Sequence, residues 1–452
     1  MQDSVFSLLP PLVAIIIAIW RKKALFALLC GVMLCYLMIA NGNPIEGLTG
    51  TTLGIAQVFY SLGNVYIVSF SLLIGALVTL MNQSGAVNGF INHLASLNLV
   101  KNSRQASMLP TVIGTTIFTD TNLSMFTAGM ASQKLFDQHK LSRARLAYLV
   151  DSTCAPISIL FLINGWGAYV LGLLDGYSFK DPVGILIATI GYNFYAIIAV
   201  ALAYYTAFSG RVFGPLKRAE SVVQAQQKTT VDDVAPAYIM WFPMLTLLMG
   251  TFILLWFTGD GDIRRGSGAF SVFWSVVGAL VFLVLLIIGH KLMSWSTIVK
   301  TIVTGIKYMS PVVAILVLSF AFGDAIKALG TGVYVSQLIN VEVPLFLMAP
   351  ILFIAAAIMA FATGTSWGTF AILIPIAVPI AQQSGLPIEF LVAAVLGGGI
   401  FGDHASPISD TTIVASIASG CDHFEHVKTQ LPYALVGAVL TLIIYIIIGL
   451  SF

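Results

Sequence analysis

The stretch GDHASPISDTT, residues 402–412, places two aspartates, a histidine and a proline inside an otherwise apolar segment that runs from 387 to 419. A carboxylate in the hydrocarbon core of a bilayer costs about 2.5 kcal/mol or more on insertion scales, so an acid at that depth needs a role. Pro407 removes a backbone donor and clashes with the preceding helical turn. The stretch therefore predicts a discontinuous membrane helix whose break exposes carbonyl, hydroxyl and carboxylate oxygens.

The composition of the whole chain also indicates a membrane protein. Charged residues make up 9% of the 452 residues and hydrophobic residues 58%, whereas a soluble domain carries about 25% charged residues. This balance excludes a soluble globular protein, a disordered chain and a nucleic-acid-binding protein. The four cysteines have no zinc-type spacing, and the start MQDSVFSLLP lacks the basic region of a cleavable signal peptide. We expect neither a cysteine metal centre nor removal of the first segment.

Hydropathy divides the chain into segments of membrane-spanning length, because about 20 mostly apolar residues cross the hydrocarbon core. Two segments rich in Gly, Thr, Ser and Pro, 106–133 and 344–382, are predicted re-entrant hairpins, and 51–63 and 292–308 are predicted amphipathic interfacial segments. The predicted spans are 5–20, 24–40, 64–81, 147–174, 183–208, 238–257, 269–289, 309–326, 387–419 and 431–451.

The distribution of positive charge orients these spans. Placing the basic loop at 21–23 on the inside puts 17 Lys and Arg residues on the inner side and 4 on or near the outer side. The positive-inside rule then predicts a multi-pass protein of a bacterial cytoplasmic membrane with both termini on the outer face. The hydrophilic stretch 209–237 is a predicted cytoplasmic linker.

Two halves of the chain carry related motifs in the same order. The matches are TDTNLSMF (119–126) with TGTSWGTF (363–370), Gly85 with Gly330, and CAPIS (154–158) with ASPIS (405–409), the last requiring a seven-residue insertion. Each half holds five spans and one hairpin, and an odd number of spans forces the second copy to run inverted. Inverted repeats with broken helices are typical of secondary transporters, which bind their cargo near the bilayer midplane.

The predicted fold is thus an all-α polytopic membrane protein of two inverted repeats, each with five transmembrane helices and a re-entrant hairpin. The first repeat is assigned to 1–208, the linker to 209–237 and the second repeat to 238–452.

Polar side chains near the predicted breaks are the candidates for binding ions, because hard cations prefer oxygen ligands and helix breaks expose carbonyls. Four acids are the candidate ion- and proton-binding residues: Asp120, Asp151, Asp403 and Asp410, with His404 as a proton relay. A Na⁺ site is predicted at Asp120, Asp151 and Asp403. Further coordinating residues are expected at Thr119, Thr121, Asn122, Ser152, Ser158, Thr363, Thr365, Ser366, Ser406, Ser409 and Thr411.

Other polar residues have structural interpretations. Asp324 is expected to pair with Lys327, three residues on, and His423 and His426 are expected in a solvated charged loop. The Ser, His and Asp of 403–410 also suggest an intramembrane hydrolase, but a hydrolase needs a nucleophile held against a base and an oxyanion hole. Local adjacency supplies neither, and no filter motif indicates a channel. We therefore expect a transporter and no enzyme.

The stretch GDHASPISDTTIVASIASGCDHFEHVKTQLPYAL (402–435), with ATGTSWGTF (362–370) before it, resembles the NhaC type of Na⁺/H⁺ antiporter. SRARLAYLVDSTCAPISILFLINGWGAYV (142–170) resembles the same family. The resemblance implies a scaffold domain and a mobile transport domain, elevator-type alternating access and a homodimer. It carries the family's motif positions to Asp151 in the first half and to Asp403, Ser406, Ser409, Asp410 and Thr411 in the second.

The sequence predicts the transported substrate less precisely than it predicts the fold and the class of transporter. Where many relatives have two acids at the first hairpin tip, TDTN at 119–122 has one. The leading hypothesis is a Na⁺/H⁺ antiporter in which the two ions compete for the same acids, with no cofactor beyond them. The alternative is a Na⁺- or H⁺-coupled carrier of a small amino acid or organic acid, with solute bound by Asn122, Asn164, Trp166 and Trp367. For the two tryptophans, core packing is the competing interpretation.

Overall fold

The computed structural model describes residues 5–21, 23–96, 100–118, 120–161, 164–177, 179–221, 235–262, 266–330 and 344–452. All regular structure in these ranges is helical. The helices up to the linker are α1 (Leu9–Arg21), α2 (Ala24–Ile39), α3 (Pro44–Gln57), α4 (Leu62–Gln83), α5 (Ala86–Ser96), α6 (Ser103–Thr116), α7 (Thr121–Gln138), α8 (Arg143–Leu160), α9 (Gly165–Asp175), α10 (Pro182–Tyr192), α11 (Phe194–Ser209) and α12 (Gly214–Glu220). Those that follow are α13 (Tyr238–Thr258), α14 (Gly268–Gly289), α15 (Trp295–Leu329), α16 (Met348–Thr363), α17 (Ser366–Ser384), α18 (Ile388–Ala405), α19 (Asp410–Ser419) and α20 (His423–Gly449).

The helices have the length and surface of a multi-pass membrane protein. Within the described ranges, nine stretches of helix are long and apolar enough to cross a membrane. Large apolar side chains such as Phe257, Leu285 and Ile447 are exposed on their outer faces. Contiguous apolar surface of this kind needs lipid rather than water to cover it.

Helix α15 differs from the prediction of an interfacial segment at 292–308 followed by a span. It is one helix of 35 residues from Trp295 to Leu329, about 52 Å long at 1.5 Å per residue. The first part of α15 is fixed by direct backbone packing on α4. A Cβ atom on Gly75 or on Gly305 would clash with the carbonyl oxygen of the other glycine. Small residues allow two membrane helices to approach this closely.

Among the interruptions of the described membrane helices, four position the polar residues. They lie between α6 and α7, α8 and α9, α16 and α17, and α18 and α19. The first and third fall inside the predicted hairpins 106–133 and 344–382. At the third, Gly364 has a φ of 71°, a left-handed conformation that glycine adopts without strain.

The sequence also predicts a broken helix at DSTCAPIS (151–158), because Pro156 would remove a backbone hydrogen bond as Pro407 does. The structure contradicts this prediction, since the first-half break is not at Pro156. Pro156 lies inside α8, which continues to Leu160, whereas Pro407 lies within the break between α18 and α19. Every residue from Ala144 to Ile159 is buried, and membrane helices tolerate proline where neighbouring helices pack around the freed backbone groups. The helix ends instead before Asn164, which caps α9.

The helices of the two halves share one register. Thr121 and Ser366, Arg143 and Ile388, and Gly165 and Asp410 begin corresponding helices 245 residues apart. Gly85 and Gly330, also 245 apart, have φ angles of 76° and 75°. The CAPIS–ASPIS match with its seven-residue insertion is therefore wrong, because this register places Ser158 opposite Asp403, whereas that match places Ser152 there. The inverted orientation of the halves stays a prediction from the charges.

The linker is partly folded. Leu216 of α12 is buried. Glu220, at the end of α12, forms an ion pair with Arg145, whose Nε lies 2.9 Å from Glu220 Oε1. Residues 222–234 of the linker lie outside the described ranges. Helix α12 is thus docked on α8, where Arg145 lies two residues after the helix start.

Candidate ion and solute sites

The most buried group of ionisable residues surrounds Asp151 on α8. The carboxylate of Asp151 is completely buried, and its Oδ2 accepts hydrogen bonds from Gln430 Nε2 at 2.6 Å and from His426 Nε2 at 3.2 Å. His404 Nε2 lies 4.0 Å from the other oxygen, Oδ1. We call Asp151, His404, His426 and Gln430 the Asp151 cluster. It joins α8, α18 and α20 in the interior of the bundle.

Further hydrogen bonds fix the orientation of His404. Its Nδ1 is 3.0 Å from the hydroxyl of Tyr195 on α11, which is also fully buried. Its backbone carbonyl accepts a second hydrogen bond from Gln430 at 3.1 Å. The imidazole is thus held between Tyr195 and Asp151, with Nε2 directed towards the carboxylate.

His426 and Gln430 are functional candidates that the sequence interpretation missed, and the prediction of a solvated loop for His426 is wrong. Helix α20 begins at His423, so its first turns pack against α8, and His426 is completely buried. His423 also turns inward, with Nε2 2.7 Å from the carbonyl of Pro407. Residues four apart share a helix face, and the spacing of His426 and Gln430 was the signal that could have identified them.

Asp403 lies on α18 beside His404 and is 1% exposed. Its Oδ2 accepts a hydrogen bond from the hydroxyl of Ser366, the first residue of α17. Its Oδ1 is buried and has no hydrogen-bond partner in the described part of the chain. In the common register the equivalent contact is Thr121 with Ser158, whose hydroxyl oxygens are 3.0 Å apart. A polar contact between corresponding helices thus recurs in both halves. Its second member is a hydroxyl in the first half, Ser158, and a carboxylate in the second half, Asp403.

Several predicted coordinating hydroxyls instead stabilise the helix breaks. Ser406 donates to the carbonyl of Phe361 at 2.8 Å, and Thr363 donates to Met359 at 2.8 Å. Ser409 caps α19, accepting from the N–H of Thr411 at 3.2 Å. These hydroxyls hold the two second-half breaks in place.

The remaining predicted hydroxyls have varied surroundings. Ser158 donates to Cys154 at 2.8 Å, and Ser152 is buried on α8. Thr365 precedes α17 without a side-chain cap. Thr119 lies outside the described residues.

Asn164 holds the two first-half breaks together. Its amide donates to the carbonyls of Phe118 at 2.9 Å and Ser158 at 2.6 Å, while its oxygen accepts from Trp166 and Gly167 at the start of α9. The side chain is 2% exposed. A residue predicted to bind solute is therefore fully occupied by backbone groups.

Asp120 and Asp410 line a cavity whose walls include none of the four residues of the Asp151 cluster. The cavity has a volume of about 240 Å³. Asp120 caps α7 by accepting from Leu123 N at 2.7 Å, and Asp410 accepts from Thr411 N at 2.9 Å. The walls also include Asn122, Trp166, Tyr308, Met309, Trp367 and Thr411. We call this space the Asp120–Asp410 cavity.

The acids predicted to form one Na⁺ site are thus distributed over different places. Asp120 faces the cavity between α7 and α15, whereas Asp151 and Asp403 are enclosed by helices on all sides. Among the described residues, no three His, Cys, Asp or Glu side chains are arranged to hold a metal ion. Asp120, Asp151 and Asp403 therefore do not form one coordination sphere in this conformation.

Residues 147–450 match the sequence profile of the Na⁺/H⁺ antiporter family. The chain belongs to this family. The matched range includes all four residues of the Asp151 cluster, together with Asp403 and Asp410. The resemblance to NhaC-type antiporters is confirmed, because the family member is 26% identical to the Na⁺/H⁺ antiporter NhaC of Bacillus subtilis over 158 residues, 35% of each chain.

Two further comparisons extend over nearly the whole of this antiporter-family chain. It is 32% identical over 481 residues to an uncharacterized protein of Haemophilus influenzae, covering 100% of this chain and 92% of that protein. Its fold resembles the crystal structure of the Alcanivorax borkumensis YdaH transporter, with a TM-score of 0.61 over 90% of both chains and 13% identity. Family and fold are those of a membrane transporter, not of an enzyme.

Proposed function

We propose that this antiporter-family protein exchanges Na⁺ for protons, with the Asp151 cluster as the proton-binding centre. The observation that carries the proposal is the completely buried carboxylate of Asp151, with His426 hydrogen-bonded to it and His404 4.0 Å away. Imidazole gains and loses a proton near neutral pH. Ionisable groups at membrane depth are costly and mark ion or proton pathways.

The Na⁺ ion is assigned to Asp403, because oxygen atoms surround it. The unpartnered Oδ1 of Asp403, the hydroxyl of Ser366 and the carbonyl of Gly399, 3.3 Å from that hydroxyl, supply oxygen ligands. Asp403 adjoins His404 in the chain, so a Na⁺ ion here and a proton on the cluster would place two positive charges side by side. Their repulsion in a medium of low dielectric constant makes binding of one favour release of the other.

This competition suits alternating access. A site that crosses the membrane loaded with either Na⁺ or a proton performs obligatory exchange. The moving part would be the helices on either side of the four breaks, α6–α9 and α16–α19. They would carry the ion across the membrane by moving against α4 and α15 in an elevator-type manner within a homodimer. The predicted inverted repeat and the broken helices of the structure support this mechanism.

The test is Na⁺-driven proton movement in proteoliposomes that contain the purified protein and no other solute. Asp151→Asn removes the charge and keeps the shape of the side chain, and we expect it to abolish the pH change. Asp324→Asn is the matched control, since Asp324 lies on α15 in a separate small cavity beside Lys327 and should retain activity. Full activity of Asp151→Asn would refute the assignment.

The second candidate function is a Na⁺- or H⁺-coupled carrier of a small amino acid or organic acid. The size of the Asp120–Asp410 cavity, about 240 Å³, favours it. In that case proton movement in the same proteoliposomes requires an added solute. Na⁺-driven proton movement without any solute supports simple exchange instead.

A further inference from the structure

The Asp120–Asp410 cavity is larger and less polar than a site for Na⁺ alone requires. Its volume of about 240 Å³ compares with about 30 Å³ for one water molecule in the liquid. Hard cations are bound by several oxygens that converge on one point. The lining of this cavity instead includes Trp166 and Trp367, whose rings pack against each other, so the cavity suits an organic molecule.

The aromatic wall is held rigidly. The rings of Trp166 and Trp367 have centroids 5.3 Å apart, and Tyr169 packs edge-on against Trp367 at 4.9 Å. The Tyr169 hydroxyl also donates to the Trp367 carbonyl at 2.9 Å. Tyr308 of α15 also lines the cavity; it is 63% exposed, and its hydroxyl lies 3.4 Å from the amide nitrogen of Asn122. Three aromatic rings therefore line the cavity before any ligand binds.

The charges that line the cavity have one sign. Asp120 and Asp410 are its acids, and no Lys, Arg or His is among the described residues that line it. Both carboxylates lie at helix starts, where they offset the positive end of the helix dipole. The helix ends that would otherwise attract an anion are thus neutralised. A cleft lined by negative charge concentrates cations.

We propose that the Asp120–Asp410 cavity binds a compact organic ammonium ion, and that the protein exchanges either this ion or Na⁺ for protons. Ammonium groups are recognised by the faces of Trp and Tyr rings, and carboxylates balance their charge. The proposal rests on the proposed function in one respect, because the Asp151 cluster supplies the proton half of the exchange. Binding to the cavity uses other side chains, since no residue of that cluster lines it.

Binding to the purified protein in detergent, measured by isothermal titration calorimetry, tests the ligand class. The probes are choline, ornithine and 1,4-diaminobutane as ammonium compounds, malate as an anion, and 3,3-dimethyl-1-butanol as the neutral isostere of choline. We expect at least one ammonium probe to bind at least tenfold more tightly than the neutral isostere and malate. Equal affinity for choline and its isostere, with no binding of the other two ammonium probes, overturns the proposal.

Matched variants locate the binding. Asp120→Asn keeps a side chain that caps a helix equally well while removing the charge, and it should weaken ammonium binding at least tenfold, about 1.4 kcal/mol. Trp367→Leu should weaken binding similarly, whereas Trp367→Phe, which keeps a π face, should bind more tightly than Trp367→Leu. The controls Asp324→Asn and Trp274→Leu lie outside the cavity and should bind like the wild type. Unchanged ammonium binding in both Asp120→Asn and Trp367→Leu refutes the location.

Transport separates this proposal from the proposed function. In proteoliposomes, a gradient of the bound ammonium compound should drive proton movement in the wild type. Asp151→Asn should abolish that movement and leave the calorimetric affinity unchanged. Ammonium binding without Na⁺-driven exchange means that the proposed function fails and the cavity assignment stands; Na⁺-driven exchange without ammonium binding means the reverse.

Discussion

Replacing His426 separates a hydrogen-bonding role from a proton-carrying role. Its Nε2 lies 3.2 Å from Asp151 Oδ2, and both side chains are completely buried. Glutamine can donate an N–H to the same oxygen but cannot take up a proton at neutral pH. Leucine can do neither. The pair His426→Gln and His426→Leu therefore distinguishes the two roles.

The structure sets the expected magnitudes. A hydrogen bond to a charged group contributes about 1.5–3 kcal/mol, and Asp151 Oδ2 has two donors, His426 and Gln430. His426→Leu leaves Gln430 alone and should lower the free energy of unfolding by about 1.5–3 kcal/mol. His426→Gln keeps a donor and most of the volume, so the loss should stay below about 1.5 kcal/mol.

The assays are denaturant unfolding of the purified protein in detergent and Na⁺-driven proton movement in proteoliposomes across the neutral pH range. We expect His426→Gln to fold and to lose at least tenfold of the exchange rate. His139→Gln, in the turn after α7, is the matched control and should behave like the wild type. A wild-type rate and pH profile for His426→Gln would show that this histidine carries no proton and would refute the reasoning.

Two further predictions concern the framework of the site. Asn164→Ala removes the cap of α9 and leaves two buried carbonyls without their donor, so it should lower the free energy of unfolding in detergent by at least about 2 kcal/mol. The control is Asn102→Ala, which removes an exposed cap of α6 with one hydrogen bond and should lower that free energy by only about 1 kcal/mol. Equal losses in the two variants would contradict the bridging role of Asn164. Gly305→Val should push α15 away from α4 and reduce the yield of monodisperse protein in size-exclusion chromatography. Gly289→Val is the control, because there is open space around its Cβ position, and it should not reduce the yield. Equal yields of the two variants would contradict the close packing of α4 and α15.

The break at Pro407 and the caps around it were predictable because their causes are local. A proline removes its own hydrogen bond, and Ser409 accepts from the N–H of a residue two positions away. The same local reasoning failed at Pro156, where every neighbouring residue is packed against other helices. Tertiary packing there outweighs the preference of a single residue.

The position of His426 shows the same limit. Its surroundings in the sequence, CDHFEHVK, are charged and typical of a solvated loop. Its side chain is buried because α20 begins three residues earlier and lies against α8, whose Asp151 is 275 residues away in the chain. The spacing of His426 and Gln430 indicates a shared helix face, but it does not indicate which helix, 275 residues away in the chain, that face contacts.

The sequence by itself determined that the chain lies in a membrane, that its helices break at Pro407 and within 106–133 and 344–382, and that a few acids lie in apolar segments. Composition, proline and glycine act on each segment separately, so these properties can be read from the chain. Only the tertiary structure decided how the acids are grouped. It enclosed Asp151 with two histidines and a glutamine, joined Asp403 to Ser366, and left Asp120 and Asp410 facing an aromatic cavity. The physical reason is that burial and hydrogen bonding depend on which helix faces meet, and that is fixed by packing over the whole fold.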